Sequence, residues 1–583
     1  MSNLVDLSRE FQLDSQAHQA VLKELDSLCQ MFSLTVAELR YKWESFALSL
    51  MKGNEKPTID LLRQLRKNLE KQVNQPSTKT NNLNRKARPA PSRMLSSLAS
   101  DFMDVDSNQE DSLDQFMTNL TQGTSVYAKP TPSTHANLAP IAPTLNLQAS
   151  QSTSSFSERK GTNVIDLQLN PQLSFRSGPS AKPTITNSHP KILRYRYMFE
   201  KIRNKAEMLD DQIDYMADII QEANQWEEGY GNPTRTTQGS IKAVGRICNE
   251  ANQGKLNHTS VMLESSRTLG LGKRVKLDLT RIPDFSLFPG QIVGFQGNNM
   301  TGKSFVVEQI VTPPLPERIQ AEEMGRNVDV LVASGPFTLD SDLSFEPLVE
   351  LLQTCVATQP DVLLLMGPFL STSHPTIAKG DIDELPEDLF QREITSRLNQ
   401  LAQAQPDTKI VLMPHANDIV HEWPLFPQPS LSAKALQLDP SILLLPNPSV
   451  ISINGTTLAM ANVDILMALG QQECSKASGS QDRLARLSHH ILQQRSFYPL
   501  YPTAPDVIID ADQMAMVQLT TLPDILVLPS HLKHFAKVVD DVICMNPGHL
   551  CKSQSGGTYA RIALPAKQHV KQHEHIRVDL IKI

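Results

Sequence analysis

Two apolar runs restrict the fold of this chain more than anything else in it. They are Val328-Asp-Val-Leu-Val-Ala333 and Asp361-Val-Leu-Leu-Leu-Met366, and Gly-Pro-Phe ends each one, at Gly335 to Phe337 and again at Gly367 to Phe369. Neither run alternates apolar with polar residues, so both strands must be covered on two faces, as in a parallel sheet. Between them Phe345-Glu-Pro-Leu-Val-Glu-Leu-Leu-Gln-Thr-Cys355 carries apolar residues at helical spacing. The unit reads strand, helix, strand. Ligands and catalytic groups of such sheets occupy the loops at the carboxyl ends of the strands. Function is therefore to be sought at Ser334-Gly-Pro-Phe-Thr338 and Gly367-Pro-Phe-Leu-Ser371.

The pattern continues from Asn327 to Ile583, where Ile410 to Met413, Ile442 to Leu445, Val450 to Ile453, Ile525 to Leu528 and Val542 to Met545 read as further strands alternating with helices. Residues 321–583 are expected to form one large α/β layered domain. A chain of 583 residues exceeds a single core, so other domains precede it. In 191–320, a helix-forming stretch from Tyr195 to Ala223 leads into five short strands: Ile241 to Ile247, Ser260 to Leu263, Val275 to Leu279, Gln291 to Gln296 and Phe305 to Ile310. Their number and length fit an oligonucleotide-binding type of barrel. A single-strand binder would interleave aromatic platforms with basic residues. These strands are mainly aliphatic, which favours a protein-facing or structural barrel, with DNA contacted at most indirectly.

Residues 1–75 read as a helical docking domain, with a capping box at Thr35-Val-Ala-Glu38 ahead of Leu39, Trp43, Phe46 and Leu50. Residues 76–190 are rich in Ser, Thr, Pro, Asn and Gln and are expected to be a disordered linker. Within it Arg85-Lys-Ala-Arg88 with Arg93 has the composition of a nuclear import signal or of a solvated basic run, and Ser112-Leu-Asp-Gln-Phe-Met117 that of a short partner-binding helix. The net charge of -7 argues against a protein devoted to neutralising phosphate backbones. Six cysteines without a Cys-x-x-Cys pair suit a reducing compartment and neither a disulfide framework nor a structural zinc site. No apolar signal core or membrane-length run is present, so a soluble intracellular protein is expected.

Gly297-Asn-Asn-Met-Thr-Gly302-Lys303-Ser304 matches the phosphate-loop pattern. That loop works because a helix begins at its end and points backbone amides at the phosphates. Here Phe-Val-Val-Glu-Gln-Ile-Val-Thr comes next, a β-branched run stopped by Pro313 and Pro314, so a hairpin of the barrel is expected instead. A two-metal phosphoesterase needs carboxylates and histidines at strand ends, including one bridging acid. The first two strand ends offer Ser334-Gly-Pro and Gly367-Pro; later ones give His415, Asn417, Asp418, His531, His549 and Cys551. Structural roles are expected for His415, His531 and His549, and the Cys544, His549, Cys551 grouping lacks a zinc spacing. No catalytic, cofactor-binding or metal-ligating residue is assigned, and no cofactor.

Several uncommon motifs in order make a resemblance specific: Ser334-Gly-Pro-Phe-Thr338, Pro360 to Leu370, Ser452-Ile-Asn-Gly455, Gln494-Arg-Ser-Phe-Tyr-Pro-Leu-Tyr-Pro502, Asn546-Pro-Gly548 with Gly556-Gly-Thr-Tyr-Ala-Arg561, and the barrel entry Ser286 to Val293. From about Ile192 to Ile583 the chain resembles the B subunits of eukaryotic DNA polymerase alpha. The resemblance implies an inactive calcineurin-like phosphoesterase domain that has lost its metal ligands. It implies a noncatalytic scaffold role in the polymerase alpha–primase complex, in which barrel and phosphoesterase domain grip the C-terminal, zinc-bearing domain of the catalytic subunit. The primase subunits would be further partners, the helical head would dock other replication proteins, and the location would be the nucleus. The alternatives kept are an active metallophosphoesterase with an altered metal site and a phosphate-loop NTPase. The aromatic run Phe497, Tyr498, Leu500, Tyr501 reads as core or as an interface anchor, with core favoured.

Overall fold

The computed structural model describes residues 163–176, 182–251, 254–318, 326–476, 482–566 and 571–583, with isolated helical positions between Val21 and Leu62. The chain forms two units, Met1–Arg88 and Pro89–Ile583. In the first, Leu25, Leu39, Trp43 and Leu62 are buried helical positions. The rest of the expected docking domain, the basic run at Arg85 to Arg93 and the Ser112 to Met117 stretch lie outside the described residues. The second unit holds the barrel and the α/β domain.

Two strands correct the linker boundary drawn at 190. They are β1 (Ile165–Leu169) and β2 (Ile185–Asn187), and each is the edge strand of a sheet in the C-terminal domain. The segment after β1 is fixed by charge as well as by pairing. Arg561 and Arg577 both lie over the Phe175 ring, at 4.0 and 4.6 Å, and Arg176 reaches the buried Asp361 at 3.4 Å. Polar, proline-rich surroundings conceal these strands in the sequence, because an edge strand needs only one partner and few apolar residues.

The barrel closes as expected from β3 (Ile241–Asn249), β4 (Val261–Glu264), β5 (Arg274–Asp278), β7 (Ile292–Asn298) and β8 (Ser304–Val311), while β6 (Phe285–Leu287) leaves it. Inward positions alternate along each strand: Ala243 and Ile247, Val261 and Leu263, Val275 and Leu277, Val293 and Phe295, Phe305 and Val307 form its core. The helix Ile202–Ala223 covers the outside, burying Ile213, Met216, Ala217 and Ile220 against Val244 and Ile292. Their spacing of three and four residues puts them on one helix face.

The C-terminal domain is a sandwich of two mixed sheets with a helical layer outside each. One sheet carries β9 (Val328–Ser334), β10 (Val362–Met366), β11 (Lys409–Met413) and β12 (Leu443–Leu444) in parallel, continued antiparallel by β21 (Thr558–Leu564), β22 (Arg577–Lys582) and β1. The other runs β17 (Phe535–Val539), β18 (Val542–Asn546), β16 (Ile525–Val527), β14 (Thr456–Met460), β13 (Ser449–Ile453), β2. The unbroken apolar runs now have a cause. Leu331, Ala333, Leu363, Leu365, Ile410 and Leu412 face the helices Glu346–Thr358 and Ser396–Ala404, whereas Val330, Val332, Leu364, Met366, Val411 and Met413 face Ile451, Leu458, Ile525 and Ile543 of the second sheet. Both faces of each strand exclude water. Successive residues thus go to different cores.

Barrel and sandwich are joined by the two motifs that flank them in sequence. Tyr501 N–H donates to the Pro289 carbonyl (3.0 Å), and Gln494 brackets Ile292, accepting from its N–H (2.7 Å) and donating to its carbonyl (3.0 Å). Gly290 has φ of +99°, and an added Cβ would stand 2.3 Å from Tyr501 N, so only glycine allows this approach. Phe497, Tyr498 and Leu500 are buried in the second-sheet core together with Phe288 of the barrel entry. Three of the four residues of the aromatic run are core, whereas Tyr501 is half-buried.

A second joint is built on charge. Strand β6 pairs with β15 (Cys474–Lys476), and beside them the buried Glu473 accepts from Ser286 Oγ at 2.6 Å and from Arg486 at 2.7 and 3.0 Å, with His490 Nε2 at 3.2 Å. Burial works against the Glu473 carboxylate, but these partners prevail and hold its pKa below the ordinary value; burial likewise depresses that of His490. Both depressed values have the same sign. Stability is present above the unfolded pKa values, near 6.5 and 4.5, and is lost as pH falls below them toward the lower folded values. Glu473→Gln should cost about 2 kcal/mol near neutrality and flatten the acid side of the profile, which thermal unfolding across that pH range will read.

A closed strand-end rim as the candidate functional site

The loops after β9, β10 and β11 converge at the carboxyl edge of the sheet, where chemistry is expected in such folds. They are packed backbone to backbone. Gly335 N–H donates to the Met366 carbonyl (2.7 Å), Gly367 N–H donates to that of Met413 (2.9 Å), and both Gly-Pro bonds are cis. A Cβ on Gly335 would lie 2.0 Å from the Pro368 carbonyl oxygen, and one on Gly367 would lie 2.3 Å from an Asp418 carboxylate oxygen. The glycines are therefore contact surfaces. Phe337 and Phe369 stack beneath them at 5.3 Å and seal the loops onto the helical layer.

Asp418 is tied to these loops, and both of its oxygens are engaged by backbone donors. One oxygen accepts from the N–H groups of Phe369 and Leu370, the other from His415 N–H at 2.9 Å. Burial pushes its carboxyl up to about 7 despite those three donors. Asn462, just beyond β14, donates to the carbonyls of Gly367 (2.9 Å) and Pro414 (3.1 Å); Asn447 holds its backbone, and Gln428 in turn accepts from Asn447. This amide network has no sequence signature and was not anticipated. Its only trace is an asparagine directly after an apolar run.

The structure brings His415, His531 and His549 into one group. The rings of His531 and His549 lie 4.5 Å apart, and His549 Nδ1 is 2.6 Å from the Gly335 carbonyl, which makes Nδ1 the protonated nitrogen. His415 Nδ1 accepts from Asn417 N–H at 3.0 Å. Burial lowers the pKa of His415 to about 4 and that of His549 well below the usual value, and the proximity of His531 lowers both further. His415 and His549 are thus held as neutral imidazoles, although the sequence suggested no grouping. Cys544 belongs to the second-sheet core and Cys551 to the helical-layer core, on opposite sides of the sandwich.

The residues present do not fit a two-cation site. The ends of β9 and β10 supply Ser334, whose Oγ lies 3.5 Å from the Gly367 carbonyl, and Gly367 itself, so no carboxylate stands where a bridge is needed. Among the described residues no group of three or more His, Cys, Asp or Glu side chains is placed to hold a metal ion. Nor does any helix among them have the length and apolarity to cross a membrane.

The phosphate-like loop is a hairpin. Asn299 to Lys303 connects the antiparallel strands β7 and β8, Asn299 is buried with its amide on the Pro233 carbonyl, and a strand comes next where phosphate binding requires a helix. Lys303→Ala should change stability by less than about 0.5 kcal/mol. Melting curves with and without magnesium and ATP should coincide for parent and variant.

Comparison with known proteins divides the chain along the same architecture. The family of DNA polymerase alpha/epsilon B subunits matches residues 330–537, and the family of OB domains of the DNA polymerase alpha B subunit matches 206–313. The DNA polymerase alpha B subunit of Schizosaccharomyces pombe is 31% identical, over 95% of this chain and 95% of its own length. The chain belongs to the family of DNA polymerase alpha B subunits. Those of Rattus norvegicus and Saccharomyces cerevisiae are each 32% identical, over 67% and 64% of this chain. The chain spans 65% and 61% of those two relatives. The OB match begins within the Ile202–Ala223 helix and ends just past β8, so in this family the helix is part of the barrel domain.

Proposed function

We propose that the chain is a noncatalytic scaffold in the DNA polymerase alpha–primase complex. In this reading barrel and sandwich together bind the C-terminal, zinc-bearing domain of the catalytic subunit, the primase subunits belong to the same assembly, and the complex starts DNA chains in the nucleus. The helical head would dock other replication proteins. DNA would be contacted at most indirectly, and no membrane would be involved.

One observation carries the noncatalytic part. The rim that would hold the cations of a phosphoesterase is closed by two Gly-Pro loops, and its acid is committed to three backbone N–H groups. Such a carboxylate cannot bridge metals without unmaking the loops. The joint at Gly290, Tyr501 and Gln494 supports the scaffold part, since it presents barrel and sandwich as one continuous surface. Purified protein should hydrolyse no phosphodiester with manganese present. Activity that stays with the protein through purification and disappears in His415→Ala or His531→Ala would favour the metallophosphoesterase instead.

A further inference from the structure

Four large exposed apolar residues of the described chain lie close together in one collar. Between β2 and the barrel helix runs Lys191-Ile-Leu-Arg-Tyr-Arg-Tyr-Met-Phe-Glu-Lys-Ile-Arg-Asn-Lys205. It is pinned to the sandwich, with Tyr195 OH donating to the Pro427 carbonyl (2.6 Å) and Trp423 Nε1 donating to the Tyr195 carbonyl (2.9 Å). Yet Leu193, Met198, Phe199 and Ile202 are 72%, 78%, 59% and 90% exposed. Within the stretch six basic residues, Lys191, Arg194, Arg196, Lys201, Arg203 and Lys205, stand against the single acid Glu200, while Glu422 and Glu207 reach Arg194 and Arg203 from outside it. In a chain of net charge -7 this is a local reversal.

The collar borders a cavity of about 450 Å³ between the barrel helix and the 494–518 segment, lined among others by Lys205, Met208, Met216, Arg246, Tyr498 and Ile508. Arg246 is 3% exposed. Its Nη2 donates to the Leu209 carbonyl (2.7 Å) and Gln212 Oε1 (3.1 Å), and its guanidinium lies over the Tyr501 ring at 5.5 Å. Among the described residues no carboxylate hydrogen-bonds it, although Glu264, its cross-strand neighbour, and Asp210 act on it through their charge. A buried guanidinium with no acid in direct contact is a costly arrangement. An incoming carboxylate relieves it.

We propose that this cavity and its collar are the docking site for an acidic stretch of the chain's own N-terminal half, residues 101–117. That stretch reads Asp101-Phe-Met-Asp-Val-Asp-Ser-Asn-Gln-Glu-Asp-Ser-Leu-Asp-Gln-Phe-Met117, with six acids, no base, and a bulky apolar pair near each end. It has the charge the collar lacks and the aromatic side chains the cavity admits. A carboxylate of the segment reaches Arg246 while Met198, Phe199 and Ile202 cover its apolar residues. The residues from 117 to 163 extend to at most ~165 Å, so the chain is long enough. Docked in cis, the segment competes with any acidic, apolar peptide from another protein. The inference does not depend on the scaffold function.

The test uses the full-length chain with the photoreactive residue p-benzoylphenylalanine in place of Ile508, which is 55% exposed and lines the cavity. Mass spectrometry after illumination should find an intrachain cross-link into residues 101–117. Its yield should fall at least about fivefold, the scale of a few exposed ion pairs, when Asp104, Asp106, Asp111 and Asp114 are changed to Asn and Glu110 to Gln. Those changes lie outside the described core, so loss of folding does not confound them. An Arg196→Glu, Arg203→Glu variant should behave alike. A cross-link to another segment or to a second copy, no cross-link, or an undiminished yield in the neutralised chain would overturn the proposal.

Discussion

Gly335→Ala is expected to leave little folded protein, with a cost above about 4 kcal/mol. The new Cβ would stand 2.0 Å from the Pro368 carbonyl oxygen, a backbone atom of the loop that leaves β10. No rotamer relieves the overlap. The loops must separate, and the Gly335 to Met366 hydrogen bond goes with them. Denaturant unfolding measures this, and a variant within about 1 kcal/mol of the parent would mean that the rim is looser than described. The two loops stabilise the fold at the place where an enzyme of this architecture would hold its cations.

Asp418→Ala should cost about 4 kcal/mol, because three buried N–H groups lose their acceptor at once. Asp418→Asn should recover only part of this, since one of its two ends presents N–H donors to N–H donors. The pH dependence separates the groups. Asp418, raised to about 7, holds a proton in the fold that it lacks in the unfolded chain, so its contribution falls as pH rises from about 4 toward 7. His415, lowered to about 4, has the opposite sign, and its contribution is present above about 6.5 and lost as pH falls. The slopes oppose each other in the parent. Asp418→Asn should therefore lose stability more steeply on acidification than the parent does, as thermal unfolding at several pH values will show.

Much of the fold was legible in the sequence, for local reasons. The five barrel strands announce themselves by β-branched alternation between Gly and Asn turns, and the hairpin at Gly297 to Ser304 by the strand that comes after it. The Gly-Pro-Phe strand ends are legible in the sequence as loops without ligating side chains. The features that stayed hidden depend on distant partners. Strand β21 pairs with β9 from more than two hundred residues away, which makes the first sheet mixed rather than parallel. The edge strands β1 and β2 draw their order from β22 and β13. Likewise the three histidines come from three different strand ends, and nothing in their spacing foretold that they would meet. Asn462 escaped notice because an amide holding two carbonyls needs no motif, only position.

The central claim is that barrel and sandwich form a platform for the polymerase rather than a catalyst, and one binding measurement tests it most directly. The full-length chain should co-purify with the C-terminal domain of the catalytic subunit as a complex of about 1:1 stoichiometry by light scattering, an interface of the standard size for stable assemblies. Elution of the two as separate species at micromolar concentration would contradict it.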